Sequence, residues 1–286
     1  MLPLLCYDIV FKSVFTNQEN LLAKMISDIT GIDYELLKDN IILETNELPI
    51  SKNNEKAKRC DFIIRMKNNN IINLELNRQS YTGLVVKNLA YLFQLFSTSF
   101  KRGEEYDENL VVMQINLNCF KTPNFEKIKA LSKYYFQDNI TNEIYTENII
   151  IYELNVVKCH EIYYNEDVLE IPNYLKWGTL IYCNNPEDIP NITKGIMTKE
   201  ERDLIMDKLN NLTREDLFMS ESDAIKWYEW EQNTIRSDCR KEGIKLGVEE
   251  NKIETIKAML KKNISLEDIS DITGKSIEEI KKYIED

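Results

Sequence analysis

The chain opens with apolar positions at helical spacing. In "YDIVFKSVFTNQENLLAKMISDITG" Ile9, Val10, Val14, Leu21, Leu22, Met25 and Ile29 recur at short intervals that predict one or two amphipathic helices closed by Gly31. "IDYELLKDNIILETNELPI" predicts a short helix and then a strand. From Cys60 the pattern becomes that of strands: "CDFIIRM" and "IINLELN", separated by the turn residues "KNNN", predict a β-hairpin. After a break at Gly83 a helix is expected over "LVVKNLAYLFQLFSTSF", followed by strands over "LVVMQINL" and "NIIIYELNVV". This order predicts an α/β fold over residues 1–185, a mixed central sheet flanked by helices.

Residues 186–286 read as an all-helical C-terminal region. Thr198 with Glu201 and Ser276 with Glu279 have capping-box spacing, and Thr213 with Asp216 approximates it. Ala224 to Lys262 has the length of one long helix, loosened by Gly243 and Gly247. "SLEDISDITGKSIEEIKKYIED" then predicts two short helices about Gly274, a helix-turn-helix-like unit.

The hairpin carries the candidate chemistry. Side chains of a strand alternate between faces, so Asn73, Glu75, Asn77 and, if the strand continues, Gln79 point one way while Ile72, Leu74 and Leu76 point to the core. The hairpin can bring Asp61 close to Glu75. Two neighbouring carboxylates repel unless a cation lies between them, and oxygen ligands suit Mg²⁺ or Mn²⁺. The pattern equally fits an edge strand with a wet polar face that discourages aggregation.

Composition narrows the classes. Thirty-six Lys and Arg against 48 Asp and Glu leave a net charge of −12, which argues against a generic nucleic-acid binder but allows a local basic track. From Lys241 to Asp286 nine basic residues face eleven acidic ones, so the tail is expected to pack against the core or a second subunit, forming a homo-oligomer, rather than read bases. The six cysteines show no metal-ligand spacing and the single histidine, His160, excludes a multi-histidine zinc site. No stretch is long and apolar enough to cross a bilayer and no secretory signal is evident, so a cytoplasmic location is expected.

The acid, the hairpin and the following Glu-x-polar pattern resemble the PD-(D/E)XK nuclease superfamily. The segments "YDIVFKSVF", "CDFII", "INLELNRQ" and "LAYLFQLFSTSFKRGEEY" resemble its transposase-like, recombination-promoting branch, and "AMLKKNISLEDISDITGKSIEEI" is similar to the tail such proteins carry. The resemblance implies a restriction-endonuclease-like core and a Mg²⁺- or Mn²⁺-dependent endonuclease acting on DNA. It makes Asp61 and Glu75 the metal-binding acids, with a backbone carbonyl near Leu76 completing the shell, and places Asp8 at the border of the active site. Asn77 departs from the Lys or Gln usual at its position, where that side chain orients the attacking water; Asn is one methylene shorter than Gln, and Gln79 is a substitute candidate. Lys12, Lys87, Lys101 and Arg102 are candidates for phosphate contacts, and Tyr91 matches a family tyrosine that lines the cleft. The alternative is a catalytically degenerate nuclease fold that binds DNA or a protein, a reading favoured if either acid is locked in a salt bridge.

Overall fold

A computed structural model describes residues 4–44, 60–100, 103, 105–122, 125–165, 170–211, 236, 240, 243–244 and 247–283. The chain divides into two compact units, Met1–Phe218 and Met219–Asp286.

In the first unit, helices α1 (Asp8–Phe15), α2 (Glu19–Thr30) and α3 (Tyr34–Leu37) precede strand β1 (Ile41–Glu44). Gly31 closes α2 in the left-handed conformation at φ +78°, which a residue without Cβ adopts at no steric cost. The hairpin follows as β2 (Phe62–Met66) and β3 (Ile71–Asn77), and Asn69 supplies the left-handed residue of its turn at φ +65°. Then come α4 (Leu84–Thr98), β4 (Val112–Asn118), β5 (Leu131–Gln137), β6 (Ile144–Asn155), α5 (Val156–Asn165), α6 (Asn173–Ile181), α7 (Ile189–Ile192) and α8 (Lys199–Asn210). The six strands form one mixed sheet in the order β1-β2-β3-β4-β6-β5, with β3, β4 and β6 running parallel to one another in the centre. The expected α/β architecture, a mixed sheet with helices on it, is the one observed.

The sheet separates two cores. Phe62, Ile64, Ile72, Leu74, Ile115, Leu117, Tyr152 and Leu154 join Val10, Phe11, Val14 and Phe15 of α1 and Leu175, Trp177, Leu180 and Ile181 of α6. On the other face Ile63, Ile71, Val112 and Ile149 pack with Leu92 and Leu95 of α4. α5 and α6 approach so closely that a Cβ on Gly178 would lie 2.5 Å from Cβ and Sγ of Cys159. Trp177 donates its indole N–H to Asp28 at 2.7 Å.

Several elements differ from expectation. β5 was not anticipated, and the strand expected to run through Val156 and Val157 gives way there to α5. Residues of 186–210, grouped above with the C-terminal region, pack into the first unit: Ile189, Ile192, Ile205 and Leu209 lie in its main core. The Thr198–Glu201 capping box opens α8 as expected.

The described part of the second unit is helical over 247–261, Leu266–Thr273 and Ile277–Lys281. Ile256, Ile269 and Ile280 are fully buried in its own small core, and Ser276 with Glu279 forms the second capping box. Thr213, Asp216, Lys101, Arg102 and much of the expected long helix lie outside the described residues. Among the described residues no helix is long and apolar enough to cross a membrane. Cys6, Cys60, Cys119, Cys159 and Cys183 are free thiols.

Candidate active site

β3 is a central strand, and all seven of its residues are buried. The wet edge-strand explanation of Glu75 therefore fails: its side chain is 1% exposed. The β2–β3 register pairs Phe62 with Leu74, so one step outward, just before β2 begins, Asp61 stands beside Glu75; Glu75 lies on the face covered by α4, while the Asp61 carboxylate reaches Lys12 of α1. The two acids interlock through the backbone. The Leu76 N–H donates to Asp61 Oδ2 at 2.7 Å, and the Asp61 N–H donates to Glu75 Oε1 at 3.3 Å. Hairpin pairing thus positions both carboxylates before any cation is considered.

Each acid also faces a lysine. Lys12, one turn into α1, lies 2.8 Å from Asp61 Oδ1 and 3.0 Å from Asp8 Oδ1. Lys87 on α4 lies 3.0 Å from Glu75 Oε2, and its ammonium sits 5.1 Å from the centroid of the Tyr91 ring. Asp8, Lys12, Asp61, Glu75, Lys87 and Tyr91 are thereby linked in one charged cluster. Gln79 is not part of it by strand geometry: β3 ends at Asn77 and Gln79 falls in a bend beyond.

The electrostatics follow from this crowding. Burial and the neighbouring Asp61 push Glu75 up to about 7, against the opposing pull of Lys87. Desolvation and Asp61 push Asp8 up to about 6, although more than half of its side chain remains open to screening by solvent. Burial alone would lower Lys87 and Lys12, but the carboxylates beside them raise both. Burial and Glu75 raise the Cys60 thiol, which keeps it protonated and unreactive beside the pair.

Asn77 belongs to a second network that the sequence reading missed. Its Nδ2 donates to Asn118 Oδ1 at 3.0 Å, and Asn118 Nδ2 donates to Glu153 Oε2. Asn116 Nδ2 donates to Glu153 Oε1 at 2.7 Å, Gln114 Nε2 to Asn116 Oδ1 at 2.8 Å and Asn73 Nδ2 to Gln114 Oε1 at 2.8 Å. This amide ladder crosses β3, β4 and β6 on the face that carries Glu75. Burial raises Glu153, while the Asn116 and Asn118 amides hold it down. The signal was present: "NLELN", "QINLN" and "ELN" repeat one polar alternation on three strands.

A hard divalent ion fits the donor chemistry. Mg²⁺ commonly takes one or two carboxylates and keeps several waters, and Asp61 with Glu75 supplies two carboxylates whose repulsion is relieved here by lysine ammonium groups. Among the described residues no group of three or more His, Cys, Asp or Glu side chains converges as a ligand cluster, so Asp8 does not complete a three-acid site in this arrangement.

Comparison with known proteins gives one match. The family model described as PD-(D/E)XK nuclease family transposase matches residues 5–238. No curated protein and no solved structure matches the chain. The matched span includes the whole sheet, the Asp61–Glu75 hairpin and the amide ladder, and the mixed sheet with flanking helices is consistent with a restriction-endonuclease-like fold. The chain belongs to the PD-(D/E)XK nuclease family transposases.

Proposed function

We propose that the protein is a Mg²⁺- or Mn²⁺-dependent endonuclease that hydrolyses phosphodiester bonds of DNA. The observation that carries this reading is the interlocked Asp61–Glu75 pair, two carboxylates held together at the head of β2 and on β3, Glu75 almost fully buried, at a cost that a structural role does not require. Its position adds support, because ligands of open α/β sheets bind beyond the carboxyl ends of the parallel strands. Glu75 and the Asn116, Asn118 and Asn155 side chains occupy those ends.

Asp61 and Glu75 would hold the ion, which when bound supplies a more acidic water and positive charge beside the scissile phosphate. The chain's own residues perform the rest. Lys12 and Lys87 neutralise the acids in the free protein; their side chains are 25% and 30% exposed, so they reach solvent and can turn to phosphate oxygens. Lys87 also packs against Tyr91, which limits the directions it can take. Asn77, two residues beyond Glu75 on the same face, is the candidate to orient the attacking water.

Both acids are nevertheless paired with lysines, the arrangement expected of a degenerate fold that binds DNA or a protein. Supercoiled plasmid incubated with wild type, Asp61→Ala and Glu75→Gln, with and without Mg²⁺ or Mn²⁺, separates the two. The nuclease reading expects metal-dependent nicking by wild type alone. Equal background nicking by all three proteins, with DNA binding retained, would establish the binding module.

A further inference from the structure

We propose that Glu153 is a positioning residue that sets the direction of the Asn77 amide, so that Asn77 offers its carbonyl oxygen to the water at the Asp61–Glu75 pair. This rests on the nuclease reading and extends it to a residue 78 positions from Glu75.

A carboxamide has a donor end and an acceptor end of nearly equal size, and a half-turn exchanges them. A ladder made only of amides therefore runs in either direction with similar hydrogen bonding. A carboxylate removes that freedom because both of its oxygens accept and neither donates. Glu153 sits where two amide arms meet, with Asn118 Nδ2 on one oxygen and Asn116 Nδ2 on the other. Each arm must then point its NH₂ groups toward Glu153. On the short arm Asn118 turns its Oδ1 to Asn77 and receives the Asn77 Nδ2. On the long arm Asn116 receives Gln114 and Gln114 receives Asn73. That arm ends at Asn73 Oδ1, buried and without a hydrogen-bond partner, so the direction imposed at Glu153 persists even where it leaves an acceptor unmet.

The consequence for the site is geometric. With its NH₂ committed to Asn118 on β4, the Asn77 amide turns its Oδ1 away from β4, on the strand face it shares with Glu75. A carbonyl oxygen there accepts a hydrogen bond from the water and aligns its lone pair. A reversed amide would present donors and misalign it. The shorter side chain of Asn is then compensated by rigidity, since its orientation is fixed through two further residues.

Charge-swap substitutions test this. In Glu153→Gln the introduced amide can accept from only one arm, and the short arm, with two amides to turn instead of three, reverses more readily. In the double variant Glu153→Gln/Asn118→Asp, the introduced amide donates its NH₂ to the introduced carboxylate, which still accepts from Asn77, while its oxygen still accepts from Asn116. Charge and both directions are restored. Single-turnover nicking of supercoiled plasmid with Mg²⁺ should fall about tenfold or more in Glu153→Gln at unchanged DNA affinity, and return to within about threefold of wild type in the double variant. The Asn77 side-chain NH₂ resonances should lose protection from exchange in the single variant and regain it in the double.

A single variant that cleaves like wild type with Asn77 still protected would overturn the proposal, as would a double variant no better than the single. A melting temperature for each protein identifies failure to fold, in which case recovery of fold and rate in the double variant decides. If wild type itself cleaves no DNA, the nuclease reading fails alone. The Asn77 resonances then judge whether Glu153 sets the amide, and unchanged protection across the series rejects it.

Discussion

Glu75 couples the site to pH. Its folded-state value is raised from 4.5 to about 7, so the folded chain holds this proton more tightly than the unfolded chain does. The associated stability is complete below about 4.5 and is lost as pH rises through about 7, a change of roughly 3 kcal/mol. Thermal melts of the metal-free protein should therefore decline between pH 5 and 8, and Glu75→Gln should flatten that decline. Mg²⁺ should reverse it: the ion needs the deprotonated acid, so its stabilisation should grow with pH over the same interval. Identical pH profiles for wild type and Glu75→Gln would contradict this assignment. The acid pair was legible in the sequence because a hairpin turns local spacing into contact, and Asp61 and Glu75 are 14 residues apart. The ladder was not. Asn73 with Gln114 and Asn77 with Asn118 are each 41 residues apart, joined by parallel pairing that no local period reports. His160 stays outside this chemistry, its ring 4.8 Å from that of Tyr164 and 5.3 Å from that of Tyr182.

Among elements, the pair α5 and α6 depends on a missing side chain. Gly178→Ala places a methyl 2.5 Å from Cys159, closer than any relaxed carbon contact, and the two helices must separate. Overpacking of this kind typically costs about 1–3 kcal/mol, so urea melts should show a lowered midpoint at unchanged slope. A midpoint equal to wild type would mean that the helices part freely. The same region explains where sequence periodicity misled. Val156 and Val157 extend an apolar, β-branched run and read as strand, but they form the buried first turn of α5, where packing overrides propensity. β5 escaped notice for the opposite reason. All seven of its residues are exposed or half-buried at the sheet edge, so no strong core-facing alternation marks it.

Across the whole molecule the acidic total and the proposed nuclease function make opposite demands. Phosphate affinity must come from local cations, and the tail from Lys241 onward offers a near balance of nine basic and eleven acidic residues. Deleting residues from 247 onward should leave the salt dependence of plasmid binding within about one unit of slope and alter solubility or oligomeric state instead, as read by titration and by sedimentation. A steep loss of affinity with the first unit still folded would assign the tail to DNA. The fold also has to find its own alignment. β3, β4 and β6 are parallel, so no tight hairpin turn sets their offset, and a collapsed chain can pair them in several ways. A one-residue slip would drive the amides of a strand into the apolar core on the far side, and a two-residue slip would set Ile71 against Gln114 and Asn77 against Phe120. Each error strands buried polar groups without partners, at about 1–3 kcal/mol apiece. The ladder therefore acts as a key cut into the middle of the sheet, rejecting compact but misaligned intermediates and leaving one alignment in which every rung but the last is met.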